Sequence, residues 1–382
     1  MVITARALNR STLARQLLLA REPIDAADAV RRVVALQAQE PASPYLALWN
    51  RISGFDPAGL DSAVAGLRVV RSTLMRITLH LVHSEDYRAF REAVEPTLRA
   101  SRLGDARFTA SGLTAADADA LLPELLDFAD RPRTGAEAQA WLGERRGTPV
   151  ELPAWRMLRQ YAPLWHVPAG GPWSFASRPS YVAAATRPVL TDPDAVLDST
   201  GPLIRRYLEG FGPASVADMA QFAMIQRARA RKAVQALRDE LEELEGPDGT
   251  VLFDLPGAPR PDEDTPAPPR LLPMWDSTLL VYADRSRVLP AAYRKLVIRV
   301  NGDVLPTLLV DGHVAGVWRS VDAGIEATAF HPLPEEVWEA LAAEAGALFA
   351  FLADRDPRVY RRYDHWWVKG LPAAETRLLT PA

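Results

Sequence analysis

The sequence predicts a mainly helical α+β protein: tandem winged-helix units followed by a β-rich C-terminal domain. Three observations predict it. Helix, helix, helix and a strand-like run succeed one another between residues 8 and 82, and the same order returns twice in shortened form. After residue 265 the pattern changes to alternating runs separated by Asn301-Gly302 and Asp311-Gly312, which are strong hairpin-turn dipeptides.

Residues 8–20 and 25–37 place apolar side chains at helical spacing, the second helix opened by Asp25 and stopped at Pro41. A third helix is expected over Ala58–Leu67. Val69–Val82 is β-branched and apolar with a period near two, as a strand pair would be. In the second unit Thr134 caps a helix through Leu142, another helix starts at Pro153, and Leu164-Trp165-His166-Val167 leads to a Gly170-Gly171-Pro172 turn. In the third, Ser215 caps Val216–Ala223, a longer basic helix is expected over 225–244, and Gly246-Pro247-Asp248-Gly249 turns into Val251-Leu252-Phe253. Residues 256–270, rich in proline and acid, read as a linker. Strands are expected at 296–300, 305–310 and 314–319, then a helix from Pro334 to Ala353 and a basic, aromatic end. The expected division is 1–130, 131–198, 199–265 and 266–382.

A chain of 382 residues exceeds what one core usually serves, so several packed units are expected. The absence of cysteine excludes disulfides, thiolate metal sites and cysteine nucleophiles, and suits a reducing cytoplasm. Leu17-Leu18-Leu19-Ala20 is flanked by Arg10, Arg15 and Arg21 and reads as part of an amphipathic helix rather than a leader, and no window has the apolar length of a membrane span. The formal charge of −4 is unlike that of a general polyanion binder, yet the charge is segregated. Acid gathers at 239–243 and 262–264, base at 227–232 and 355–369.

Phosphate-binding loops, dinucleotide-binding glycine patterns and nucleophile elbows are missing. His80 and His83 would point to opposite faces of a strand, so neither a metal nor another cofactor is expected. Winged helices contact nucleic acid through a recognition helix and a wing. The candidate contacts here are Arg227, Arg229, Arg231 and Lys232 on the basic helix, His313 and Arg319 on the Asp311-Gly312 hairpin, and Lys369 near the end. The remaining segment of interest is Val34-Ala35-Leu36-Gln37-Ala38-Gln39-Glu40-Pro41. Gln37 and Gln39 cannot share a face of a helix, but where Pro41 forces the chain out of helix they can converge on one cavity.

That segment, together with Arg76-Ile77-Thr78-Leu79-His80-Leu81-Val82, Leu272-Pro273-Met274-Trp275-Asp276-Ser277-Thr278 and Leu308 to Arg319, resembles the AlkZ/YcaQ family of winged-helix DNA glycosylases. The resemblance spans nearly the whole chain. It implies a concave DNA-binding surface and a catalytic signature of Gln, an apolar residue, then Gln or Asp. Gln37-Ala38-Gln39 matches the Gln-ending form, with a small residue in the middle. That branch is similar to self-resistance enzymes of antibiotic producers, which remove bulky or crosslinking N7-guanine adducts. The implied partner is double-stranded DNA containing alkylated guanine, engaged by a monomer.

N7-alkylation makes guanine cationic, so the base leaves neutral and needs no general acid. Amide oxygens of Gln37 and Gln39 can orient water and stabilise the oxocarbenium-like sugar through fixed dipoles. No lysine nucleophile is required, so the expected enzyme is monofunctional. Arg76, Thr78 and His80 alternate on the expected strand and would line the same cleft, with Trp275 and Asp276 approaching from the C-terminal unit. The alternative from another class, a noncatalytic winged-helix regulator, would explain the helices and basic stretches but leaves the glutamine pair without a purpose.

Overall fold

The computed structural model describes residues 2–175 and 178–380. Local capping starts its N-terminal helices: Thr4 accepts from the Ala7 amide at the head of α1 (Ala5–Arg15), and Asp25 accepts from the Ala27 and Asp28 amides at the head of α2 (Ala26–Arg32). The expected helix over 25–37 therefore ends early. Val34 adopts φ 74°, and Leu36–Gln37 becomes a short strand, β1. The reason is tertiary. Gly210 offers room that a Cβ would fill, since one built there would lie 2.5 Å from Val34 Cγ2, and the edge of β3 offers a ladder partner to the chain that follows.

Helices α3 (Ala42–Trp49) and α4 (Pro57–Ala65) follow, then β2 (Val69–Thr73) and β3 (Leu79–His83), and α5 (Ser84–Leu103). The three strands form an antiparallel sheet in the order β1-β3-β2. Behind it α5 packs against the long helix Pro193–Phe211. Two further short sheets lie along the middle of the chain, one joining Arg133–Thr134, Ser180–Ala183 and Leu164–Val167, the other pairing Glu242–Glu245 with Val251–Asp254.

The structure corrects other expected elements as well. The helix expected over 8–20 stops at Arg15, and Leu17, at φ 56°, turns the chain out of it. The basic helix spans only Arg227–Ala236, because Glu242–Glu245 pairs with Val251–Asp254 in a hairpin about the Gly246 turn that buries Leu244. Residues 296–300 are not a strand: a helical turn, Arg294–Val297, is followed by a small loop closed by the Ile298–Val304 bridge and by Arg299 N donating to Asp303 O at 2.8 Å.

The C-terminal sheet is antiparallel in the order Glu375–Leu379, Gly324–Ala329, His313–Val321, Thr307–Val310, Arg270–Leu272. Helix Glu335–Ala353 covers it with Trp338, Leu341, Ala345, Leu348 and Leu352, spaced three and four apart along one face. This sheet shares one core with the opposite end of the chain. Leu13, Leu17, Leu46 and Trp49 belong to the same buried cluster as Leu271, Trp318 and Leu348. The proline-rich segment 256–270 runs along α1, whose Arg10 Nε and Arg15 Nε donate to the carbonyls of Thr265 and Pro259 at 2.7 and 3.1 Å. Among the described residues no helix is long and apolar enough to cross a membrane.

Candidate active site

Gln37 lies opposite His80 on the β1–β3 ladder, and the chain then turns away so that Pro41 heads α3. Gln37 is buried and Gln39 exposed, yet both line one cleft of about 480 Å³. Their amides are oriented by groups that can only donate. Arg76 Nη2 donates to Gln37 Oε1 at 3.0 Å, and the Leu79 amide donates to Gln39 Oε1 at 2.8 Å. Each amide nitrogen is thereby turned away from its donor, and each oxygen keeps a second lone pair.

Arg76 is not on a strand. The chain between β2 and β3 closes through Met75–Ile77 in a tight turn with Arg76 at φ 52° and Ile77 at φ 59°, two consecutive side-chain-bearing residues in the left-handed region. Such conformations cost about 1–3 kcal/mol each and persist where surrounding structure holds them. Here Leu74 N donates to Thr78 O at 3.0 Å across the turn, and Arg76 Nη1 donates to Phe222 O at 3.1 Å. The expected alternation of Arg76, Thr78 and His80 therefore fails. Arg76 and Thr78 line the cleft, while His80 lies buried beneath it.

His80 Nδ1 is 3.0 Å from the Thr78 carbonyl, which can only accept, so Nδ1 carries the proton and Nε2 accepts from Arg76 Nη2 at 2.9 Å. Burial, and then the Arg76 charge, hold its pKa well below the usual histidine value, so it is neutral. Burial pushes Arg76 itself down to about 10, with Arg285 adding repulsion. His83 accepts from the Glu85 amide at the head of α5, so the two histidines do not converge. His166 on the neighbouring sheet is likewise held neutral by burial, with Arg71 and Arg159 nearby.

Both histidine pKa values are lower folded than unfolded, so the stability they confer is present above about pH 6.5 and is lost as pH falls below it, by up to about 1.4 kcal/mol per pH unit for each. The urea midpoint should therefore fall between pH 7.5 and 5.5. A flat or rising midpoint would contradict buried neutral histidines.

The far wall of the cleft comes from the C-terminal part: Trp275, Asn301, Gly302, Asp303, Arg362 and Tyr363. Trp275 Nε1 donates to Gly302 O at 3.0 Å, and its ring meets Tyr363 edge-on with centroids 5.6 Å apart. Asp276, expected beside it, is not at the cleft. Its carboxylate takes Arg51 Nη1 and Nη2 at 2.9 and 3.1 Å, and both side chains are fully buried. Sequence reasoning singles out neither Arg285 nor Glu40. Glu40 ties the glutamine segment to the far wall by accepting from Tyr363 Oη at 3.0 Å and from Arg362, and burial raises its pKa. Arg362 and Tyr363 lie in the basic, aromatic stretch, which is the sequence signal for them.

Three arginines, Arg76, Arg285 and Arg362, line the cleft against one carboxylate. That carboxylate, Asp303, accepts from Trp366 Nε1 and Asn301 Nδ2, each at 2.9 Å. Of the expected nucleic-acid contacts, Arg227, Arg231 and Lys232 are exposed and Arg229 is half-buried, beside Ile77 in an adjoining hollow. Lys369 is exposed and lies over Trp366, 4.7 Å from the ring centroid, near the cleft rim.

The hairpin residues are placed otherwise. Asp311-Gly312 packs on α1, where Asn9 Nδ2 donates to Gly312 O at 2.7 Å and Asp311 pairs with Arg6 and Arg10, so the tip carrying His313 does not project. Arg319 is engaged by Glu326 through two hydrogen bonds of 2.7 and 2.9 Å.

A family model described as "DNA glycosylase AlkZ-like" matches residues 30–351. The chain is 27% identical over 340 residues to the interstrand DNA cross-link repair glycosylase of Streptomyces sahachiroi, covering 83% of this chain and 88% of that one. Its fold matches the solved structure of Streptomyces sahachiroi DNA glycosylase AlkZ with a TM-score of 0.76, at 23% identity over 91% of this chain and 96% of the other.

Proposed function

Because the chain belongs to the AlkZ-like DNA glycosylase family and so acts on DNA, we propose that it hydrolyses the glycosidic bond of cationic N7-alkylguanines, bulky and crosslinking adducts included. Gln37 and Gln39 are the catalytic residues. The observation that carries this reading is that the cleft sets two fixed amides beside three arginines, while its one lining carboxylate is engaged elsewhere. Amides and guanidiniums accept or donate hydrogen bonds but do not protonate a leaving base at neutral pH.

The substrate must then supply the driving force. As C1′–N9 breaks, the bonding pair neutralises the positive purine, water adds to C1′, and its proton passes to solvent. The second lone pairs of Gln37 Oε1 and Gln39 Oε1 hold that water and face the developing sugar charge. With no nucleophilic lysine among the residues lining the cleft, the product of this chemistry is an abasic site.

Arg76, Arg285 and Arg362 suit the flanking phosphates, with Thr78 and Trp275 shaping the pocket. The exposed Arg227, Arg231, Lys232 and Lys369, with Arg229, extend the basic surface over which duplex DNA would run. We read the stretches 1–130, 131–198 and 199–265 as winged helices and 266–382 as the β-rich remainder. The similarity to a crosslink-repair glycosylase supports a crosslinked lesion, and self-resistance in an antibiotic producer is the role such a lesion implies.

Single-turnover base release from matched duplexes tests the chemistry. N7-methylguanine and a bulky N7-alkylguanine should both be released, and uracil should not. Comparable rates on uracil would show that an acid or base acts in the cleft and would overturn the mechanism.

A further inference from the structure

Strand β1 leaves its ladder in an unusual way. Continuing the register Leu36–Leu81, Gln37–His80 sets Ala38 opposite Leu79, and a hydrogen-bonded antiparallel pair would exchange two bonds. One of them forms, from Ala38 N to Leu79 O at 2.7 Å. The other donor, the Leu79 amide, turns to the side chain of Gln39 at 2.8 Å. The Ala38 carbonyl is then satisfied from β2: Arg71 Nε and Nη2 donate to it at 3.1 and 2.7 Å.

Nothing else accepts a hydrogen bond from this guanidinium among the described residues, and none of them forms an ion pair with it. Arg71 is buried, stacks 4.6 Å from the Phe175 ring centroid, and is pushed down to about 10 by burial. An interior cation with no carboxylate in contact, only the more distant charge of Glu40, is expensive, and a plain edge strand would not need it.

We propose that Arg71 is a positioning residue for base excision: it takes the place of the Leu79 N–H on the Ala38 carbonyl and so frees that N–H to hold the Gln39 amide. The inference rests on the reading of Gln37 and Gln39 as the catalytic pair. It gives the middle residue of the Gln-Ala-Gln segment a task for its backbone, with both peptide groups anchored while the flanking side chains face the cleft.

The test is a cycle of single-turnover base release from N7-methylguanine duplex with wild type, Arg71→Lys, Arg71→Met, Gln39→Ala and Arg71→Met/Gln39→Ala. Arg71→Met should slow release by about tenfold to a hundredfold, the scale of a small misplacement of a reacting group, with duplex affinity within about twofold of wild type. Arg71→Lys, which keeps a donor, should restore part of the rate. In the Gln39→Ala background Arg71→Met should add nothing.

A wild-type rate in Arg71→Met, or a loss that multiplies in full with that of Gln39→Ala, would overturn the proposal alone. A wild-type rate in Gln39→Ala would overturn the catalytic reading, and the proposal with it. A measurement free of Arg71 variants stands beside these. In folded Gln39→Ala the Leu79 amide should exchange with solvent much faster than in wild type, because Arg71 still holds the Ala38 carbonyl. Unchanged protection would mean that the ladder bond had re-formed and that Arg71 holds nothing in place.

Discussion

Base release by Gln37→Ala and by Gln39→Ala should each fall by about a hundredfold to a thousandfold, the cost of removing one preorganised polar group from a developing charge. Duplex affinity and melting temperature should stay near wild type for Gln39→Ala, whose side chain is exposed and gives up one hydrogen bond to a backbone amide. Gln37→Ala carries a modest additional cost in stability, since it leaves Arg76 Nη2 with His80 as its one remaining partner. The double variant should be little slower than the worse single one, because groups that act on one water fail together. Gln37→Glu separates acceptance from charge: a carboxylate there pairs with Arg76 and should be drawn toward it. Near-wild-type release by the double alanine variant would remove both residues from the chemical step.

Asp276→Ala should destabilise the fold by about 3–5 kcal/mol, because it strands the Arg51 guanidinium in the interior. Arg51 has one other acceptor, the Ala47 carbonyl at 2.9 Å, which does not neutralise it. The carboxylate also accepts from the Thr278 amide and hydroxyl at 3.0 and 2.8 Å, so the turn after Trp275 loosens as well. Urea unfolding of wild type, Asp276→Ala and Arg51→Met/Asp276→Leu measures this. Replacing both partners should recover much of the loss, as apolar exchange of buried ion pairs often does. Full stability in Asp276→Ala together with lost activity would instead return Asp276 to the chemistry.

The legible parts of this fold are those whose signals are local. Ser215 and Thr134 announce their helices through capping boxes, and the helix Val216–Ala223 falls where its cap predicts. Helices Ser84–Leu103, Ala115–Phe128 and Pro193–Phe211 escape a sequence reading, each with an internal proline, Pro96, Pro123 or Pro202, that reads as a break until packing outweighs it.

The basic helix is overextended when judged from its charge run, which says nothing of the hairpin that Leu244 anchors. At the site, the glutamine pair is visible through resemblance, and Trp275 with Arg76 and Thr78 follows from the same motifs. Asp276 misleads because its partner lies 225 positions earlier in the chain. Arg71 is invisible for a related reason: its task exists only once β1 has joined the sheet.

Glu40 meets Arg362 across 322 positions, and the cleft is walled by both of these ends of the fold. Closing so long a loop comes at an entropic cost that is recovered only when the last contacts form. A chain still folding, or one cut between its two halves, therefore holds glutamines with no opposite wall. The cleft is thus one of the last features of the fold to be completed, and it exists only where the two ends of the chain meet.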